Sequence, residues 1–366
     1  MKNALPVTVQ PIILMLTPGR QCCMSLDKGR SDRLISIGII ANPASGKDIR
    51  RLVSHATTID NNEKINIVER IVLGAQALGV EKVYMMPDSH NMGYMVEDKL
   101  NTCNELKCDI NVINMLKFDG AEDTLTAAEF MENIGAGCIV TLGGDGTNRA
   151  VAKVLKDTPL ISISTGTNNV YPVMMEGTVA GMAAAAVASG RIDNNLFAER
   201  DKRIEIFRNG ELVDIALIDA VISTDVFVGS KAIWDMDSIE KIIVTRCHPA
   251  SIGFSSIMGS KVIIEASDDF GAYSEINAEG TKIIAAVAAG VLSPIAVSEP
   301  VILNLNDEYK FITSARGTIA LDGEREVTFA EKQEFVFKIT RNGPKHVDVR
   351  KVLKLAQING IFNLET

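Results

Sequence analysis

Cys138-Ile139-Val140-Thr141-Leu142 runs straight into Gly143-Gly144-Asp145-Gly146-Thr147, and Asn148 to Lys156 continues with the character of a helix. An apolar run of this length followed by a glycine turn and a helix reads as one strand of a crossover unit. Glycines at a strand-to-helix turn let the backbone come close to a phosphate, and the helix N-terminus supplies unpaired N–H donors and a favourable dipole. Asp145 is the odd member. A carboxylate among anion-binding groups suits a Mg²⁺ site or the acceptance of a proton from a substrate hydroxyl. The plainer alternative is a tight turn in which Asp145 only caps the next helix.

Working outward, short apolar runs alternate with helix-period segments from residue 34 onward, which predicts an open, mostly parallel sheet with crossover helices. The first strand is Leu34 to Ala41, closed by Asn42-Pro43-Ala44-Ser45-Gly46-Lys47, with a helix starting at Asp48. Further strands are expected at Lys82–Met86, Ile110–Leu116, Cys138–Leu142 and Leu160–Ser164, and helices over 63–79, 123–134, 147–156 and 176–189. Beyond about residue 200 the rhythm changes to short runs: 203–207, 211–216, 241–246, 261–265, 282–287, 301–305, 317–321 and 334–339. Asn209-Gly210 between two of them is a two-residue hairpin signal. The division expected is an N-terminal extension at 1–33, an α/β nucleotide-binding domain at 34–198, a mainly β domain at 199–345, and a C-terminal helix and tail at 346–366.

Bulk properties narrow the partners. The 366 residues are 46% hydrophobic, ample for a packed interior, and the formal charge of −9 disfavours nucleic acid or an anionic membrane as partner. The six cysteines show no repeated framework, so reduced thiols and a cytoplasmic location are expected, with no zinc spacing at Cys103 and Cys108. Pro11 to Leu16 is too short for a membrane span or a good signal core.

Three loops open at the same carboxyl edge: Asn42–Lys47, Gly143–Thr147 and Thr165-Gly166-Thr167-Asn168-Asn169. That edge is where open α/β sheets bind ligands. Gly46-Lys47 lacks the full Gly-x4-Gly-Lys-Ser/Thr pattern, and no Gly-x-Gly-x-x-Gly follows the first strand, which excludes a standard ATPase loop and a standard dinucleotide fingerprint.

The Asn-Pro-x-x-Gly-Lys loop, Gly-Gly-Asp-Gly-Thr, Gly-Thr-Asn-Asn and Leu321-Asp322-Gly323-Glu324 together resemble the NAD kinase and diacylglycerol kinase superfamily over roughly residues 34–345. Within it, Ile39 to Val53 and Ile163 to Val170 most resemble the AcoX (acetoin catabolism protein X) branch of ATP-NAD kinase-like proteins. The resemblance implies ATP or another nucleoside triphosphate with Mg²⁺, NAD as a possible substrate, and a homo-oligomer. It implies nucleotide contacts from Asn42, Ser45, Gly46, Lys47, Gly143, Gly144, Gly146, Thr147, Gly166, Thr167 and Asn168, and acceptor contacts from Asn169 and Asp219. Asp145 would be general base and metal ligand. Asp322 and Glu324 would supply base or Mg²⁺-network carboxylates in the lipid-kinase branch, while a plain β-turn explains Asp322-Gly323 equally well. Two departures bear on the acceptor. Leu217-Ile218-Asp219-Ala220 keeps only the acid of the pair by which an NAD kinase grips NAD, and its Thr-Pro-x-Gly-Ser-Thr-Ala-Tyr segment has no counterpart.

The function so implied is an ATP-dependent kinase acting on a hydroxyl of NAD or of another small metabolite, linked to acetoin catabolism. A lipid kinase and a non-catalytic nucleotide sensor are the rivals. Elsewhere, His55 reads as a packed or capping residue, and His90, His248 and His346 have no partner at useful spacing. Trp234 and the Met85-Met86 and Met174-Met175 pairs read as core or interface. Arg50-Arg51 suits a substrate phosphate or a solvated helix face.

Overall fold

The computed structural model describes residues 34–45, 55, 57, 59–224 and 238–363. Gly46, Lys47, Asp48, Arg50, Arg51 and Trp234 lie outside them. Residues 34–366 form one compact unit.

The first half reads β1 (Ser36–Ala41), α1 (Asn61–Ala77), β2 (Lys82–Met85), α2 (Met92–Thr102), β3 (Asp109–Val112), α3 (Ala121–Asn133), β4 (Ile139–Gly143), α4 (Asp145–Val154), β5 (Leu160–Ser164), α5 (Gly177–Ala188) and β6 (Ala198–Arg200). The second reads β7 (Arg203–Arg208), β8 (Glu211–Ala216), β9 (Asp219–Ser223), β10 (Ile239–Val244), α6 (Phe254–Gly259), β11 (Phe270–Ala288), β12 (Val291–Val297), β13 (Val301–Asn304), β14 (Glu308–Ile312), β15 (Gly317–Leu321), β16 (Glu324–Phe329), β17 (Glu334–Thr340), β18 (Lys345–Val347) and α7 (Val349–Ile358).

Among the described residues the first sheet runs β3-β2-β1-β4-β5-β18-β6. Every pair from β3 to β18 is parallel, and only β6 is antiparallel to its neighbour. Its central strands are buried on both faces, as the apolar runs Ile37–Ala41, Ile139–Leu142 and Leu160–Ile163 require. Helices α1, α2, α5 and α7 cover one face. On the other, α3 and α4 share a core with Tyr171, Ile215, Leu217 and Ile218, so apolar packing continues from the first half into the second. Among the described residues, the strands β7 to β17 form two antiparallel sheets, one of order β12-β11-β10-β9-β15-β16 with β13 beside β11, the other β14-β17-β7-β8. The fold is therefore an α/β half with a mostly parallel sheet joined to a mainly β half.

Three local expectations need correction. Lys261–Glu265 is not a strand: the short helix α6 precedes it, and only Ile264 bridges back to Cys247. The strand expected at Ile110–Leu116 ends at Val112, with Leu116 fully in solvent at 80% exposure. His346, read as lacking a partner, lies 3.5 Å from Asp201 through Nδ1 and stacks on Tyr171.

Candidate functional site

Because β1, β4 and β5 are adjacent and parallel, their following loops leave at one edge, and side chains then tie those loops to each other. Asn42 Nδ2 donates to Thr147 Oγ1 at 2.9 Å, while its Oδ1 accepts from the Ala44 amide at 2.8 Å. Thr165 Oγ1 donates to Ser45 Oγ at 3.1 Å. Thr57 and Thr167 exchange bonds, and the Ile59 amide donates to the Thr165 carbonyl at 3.1 Å. One amide side chain and a few hydroxyls thus join segments over a hundred residues apart.

Beneath the first loop lies Lys64, in the opening turn of α1 and only 1% exposed. Its Nζ donates to the carbonyls of Asn42 and Ser45 at 2.9 and 2.8 Å and to Asn61 Oδ1 at 3.1 Å. A buried ammonium needs such partners, and here they draw the loop after β1 into a tight arch.

Helix α4 begins at Asp145, with Gly144 in extended conformation as its N-cap. Its first amides have no intrahelical partner by geometry, and they face the turn that the glycines keep narrow. A Cβ on Gly144 would come within 2.9 Å of Asn169 Oδ1, and one on Gly146 within 2.9 Å of Glu324 Oε1. Behind the turn, buried Asn148 donates to the Gly144 carbonyl at 2.8 Å and accepts from Thr141 Oγ1 at 2.6 Å, which holds the entry angle of the helix.

Asp145 does not cap α4. Its carboxylate accepts from the amides of Val170, at 3.1 Å, and Tyr171, at 2.8 Å, so it grips the loop after β5. It also lines a cleft between the halves, together with Asn168, Asp219, Asp322 and Phe254. Asn168 Oδ1 is buried there without a hydrogen-bond partner in the structure. Asn169, by contrast, is engaged: its Nδ2 donates to Ser164 Oγ at 2.8 Å.

Asp322 and Gly323 form the turn of the β15–β16 hairpin, with φ of 49° and 82°. The Asp322 side chain is nonetheless functional material of another kind: fully buried, it accepts from the amides of Leu217, Ile218 and Asp219 at 3.1, 2.7 and 3.2 Å. Burial pushes its pKa up, against the pull of Arg149 and the three amides. Arg149, on α4 and 4% exposed, lies 2.9 Å from Glu326, 3.6 Å from Asp214, and 3.7 Å from both Asp322 and Glu324. Helix α4 is thereby clamped to the β-rich half. Arg149 and Lys64 escaped the sequence reading. Each is a cation at a position whose helical neighbours are core residues, and that mismatch was the available signal.

A second polar cluster lies behind the loop that Asp145 grips. Tyr171 donates its hydroxyl to Asp201 Oδ2 at 2.6 Å, and Arg246 Nη2 donates to Asp201 Oδ1 at 2.7 Å. Burial raises the Tyr171 pKa strongly, which keeps it a neutral donor.

Among the described residues no group of three or more His, Cys, Asp or Glu side chains is disposed to hold a metal ion. Asp145 offers one carboxylate at a helix N-terminus, which fits Mg²⁺ in its common mode, shared with nucleotide phosphates and water. Also among the described residues, no helix is long and apolar enough to cross a membrane.

Comparison with known proteins bears on both halves. Residues 37–192 match the ATP-NAD kinase N-terminal domain, and residues 202–342 match the acetoin catabolism protein X C-terminal domain. The yeast NADH kinase crystal structure with NADH covers 92% of this chain and 91% of its own at 14% identity and a TM-score of 0.48, too slight a likeness to carry weight. Acetoin catabolism protein X of Cupriavidus necator is 33% identical over 330 residues, 87% of this chain and 92% of that protein. With both halves matched in this order and the likeness spanning nearly the whole length, the chain belongs to the acetoin catabolism protein X family, with an ATP-NAD kinase-like N-terminal half.

Proposed function

We propose that the protein is a phosphotransferase that moves the terminal phosphoryl group of ATP, or of another nucleoside triphosphate, to an alcohol. Membership of the family connects that activity with acetoin catabolism. The observation that carries the reading is the lashing of three loops at one sheet edge around the amide-rich start of α4, with Asp145 on the cleft side. Phosphoryl transfer asks mainly for positioning and charge neutralisation, and this arrangement provides both.

In the proposed reaction the nucleotide's phosphates lie against Gly143–Thr147, with Asn42, Ser45, Gly166 and Thr167 holding the flanking loops, and Gly46 and Lys47 continuing the first of them. The acceptor sits in the cleft with Asn168 and Asp219 on its sides, while Asn169, bonded to Ser164, holds the loop after β5. Its hydroxyl oxygen bonds to the γ-phosphorus while the bond from that phosphorus to the β–γ bridging oxygen breaks. The hydroxyl proton passes to the Asp145 carboxylate, and the nucleoside diphosphate leaves. Bound Mg²⁺ would neutralise charge on the phosphate oxygens. Asp322 and Glu324 act through Arg149, which orients α4, rather than on the acceptor itself.

The test is Asp145→Asn. The change is nearly isosteric and should lower kcat about 10²- to 10⁴-fold, the usual range for a general base, while nucleotide affinity stays close to that of the parent. Equal turnover would remove Asp145 from the chemistry. Nucleotide binding with no transfer to NAD, polyols, hydroxyketones or diacylglycerol would instead favour a sensor.

A further inference from the structure

The loop after β5 is tied at both ends. Asn169 Nδ2 donates to Ser164 Oγ at 2.8 Å, and the Val173 amide donates back to the Ser162 carbonyl at 3.3 Å. Between these ties stand Val170 and Tyr171, whose amides hold the Asp145 carboxylate. The side chain that fixes this stretch is Tyr171 itself, 1% exposed and packed in one core with Ile215, Leu217 and Ile218. Its hydroxyl donates to Asp201 Oδ2 at 2.6 Å, the short length of a bond to an ionised carboxylate. The Arg246 guanidinium lies 5.3 Å from the centre of its ring, and the His346 imidazole stacks on it at 5.2 Å.

The far end of this tether is rigid. The Asp201 amide donates to the Pro344 carbonyl and the Asp201 carbonyl accepts from the Gly343 amide, both at 3.0 Å, so the backbone that carries the carboxylate is held on two sides. Arg246 Nη2 donates to Asp201 Oδ1 at 2.7 Å, which leaves Oδ2 for the tyrosine. Burial works against the Arg246 charge, and Asp201, Tyr171 and Asp145 outweigh it, so the Asp145 carboxylate stands within the field of the same cation. A carboxylate that takes a proton from a hydroxyl has to meet it at hydrogen-bond distance, and a displacement of about 1 Å can cost about 10²-fold in rate.

We propose that Tyr171 is a positioning residue that fixes the Asp145 carboxylate at the cleft through the backbone of the loop after β5, with Asp201 and Arg246 as its anchor. Its effect on turnover rests on the kinase reading above, and its effect on the loop does not.

The experiment is Tyr171→Phe in the full-length protein, which removes one oxygen and keeps the ring between His346 and Arg246. Hydrogen exchange at the amides of residues 170 and 171 should quicken about tenfold or more, while the amides of β4 keep the parent rate. With ATP, Mg²⁺ and an alcohol that the parent accepts, kcat should fall about 10- to 100-fold and the KM for ATP should stay within about twofold. In an Asp145→Asn background the same change should alter kcat by no more than about twofold, because no base is left to misplace. Should Tyr171→Phe not fold, Asp201→Asn, which still accepts from the tyrosine but drops the charge facing Arg246, is measured in the same way and should shift each quantity in the same direction. Unaltered exchange at residues 170 and 171 overturns the proposal, as does an equal loss of kcat with and without the Asp145 carboxylate, which would mark a purely structural role. If the parent transfers phosphate to no alcohol, the kinase reading fails by itself, and the exchange rates alone decide whether Tyr171 holds the segment that Asp145 grips.

Discussion

Arg149 shows how one residue can decide the geometry of a site it does not line. Its guanidinium meets four carboxylates, and one of them, Asp322, is fully buried and held by three backbone amides. Removing the cation leaves a buried charge uncompensated, which typically costs about 3–5 kcal/mol. Arg149→Met should therefore lower stability by about that amount in urea titration, and Arg149→Lys should recover little, since a point charge cannot serve a fork of partners. A loss well under about 1 kcal/mol would mean that the three amides suffice to hold Asp322 ionised. The amides and the arginine favour the charged form, but burial is the larger influence and holds the Asp322 pKa above its ordinary 3.8, so loss of the arginine pushes it higher still.

At the scale of elements, the loop after β1 depends on α1 through a single side chain. Lys64→Met keeps the length of the side chain but withdraws the donor from the carbonyls of Asn42 and Ser45. Buried acceptors left unmade cost about 1–3 kcal/mol, and the loop should slacken. Hydrogen exchange of the Ala44 and Ser45 amides should quicken while that of β1 is unchanged, and nucleotide affinity should fall. Unaltered exchange would show that Asn42 and Thr147 hold the arch without help. Such a role was not legible in the sequence, where a lysine on a helix reads as solvated. What was legible followed from local pattern: the buried strands β1, β4 and β5 as apolar runs, α1 from its periodicity, α5 from its run of alanines, and three loops at one edge from the parallel arrangement. Helix α2 was missed because its N-cap, Asn91, sits in the left-handed region and makes no side-chain cap bond, although Met92, Val96 and Leu100 keep helical spacing. Lys261–Glu265 misled because Val262-Ile263-Ile264 is β-branched throughout, yet only Ile264 makes a bridge, an isolated one to Cys247. The lashings within the site join residues up to about a hundred positions apart or more, as Asn42 joins Thr147, and no local pattern carries that information.

At the scale of the whole molecule, the two halves meet through the Tyr171–Asp201–Arg246–His346 cluster, which gathers the loop after β5, the β6–β7 junction, the end of β10 and β18. Because β18 lies between β5 and β6, the last part of the chain is built into the first sheet, and His346 takes its place at the joint. Burial lowers the His346 pKa below its ordinary 6.5, with Arg246 acting in the same direction and Asp201 opposing both. Burial alone would raise the Asp201 pKa, but Arg246, His346 and the Tyr171 hydroxyl outweigh it and leave it below its ordinary 3.8. The two groups consequently report in different windows. Below about pH 6.5 the unfolded chain protonates this histidine while the folded chain does not. The unfolded state then holds more protons, and stability falls as pH drops toward the folded pKa. Asp201 adds stability that is complete above its unfolded pKa and is lost only in stronger acid. Urea titrations between about pH 8 and about pH 5 should thus show a decline beginning near pH 6.5. His346→Phe keeps an aromatic ring against Tyr171 while removing the titration, so it should flatten that decline without altering the strong-acid limb. An unchanged slope in this variant would place the acid sensitivity elsewhere in the molecule and leave the joint a purely packed one.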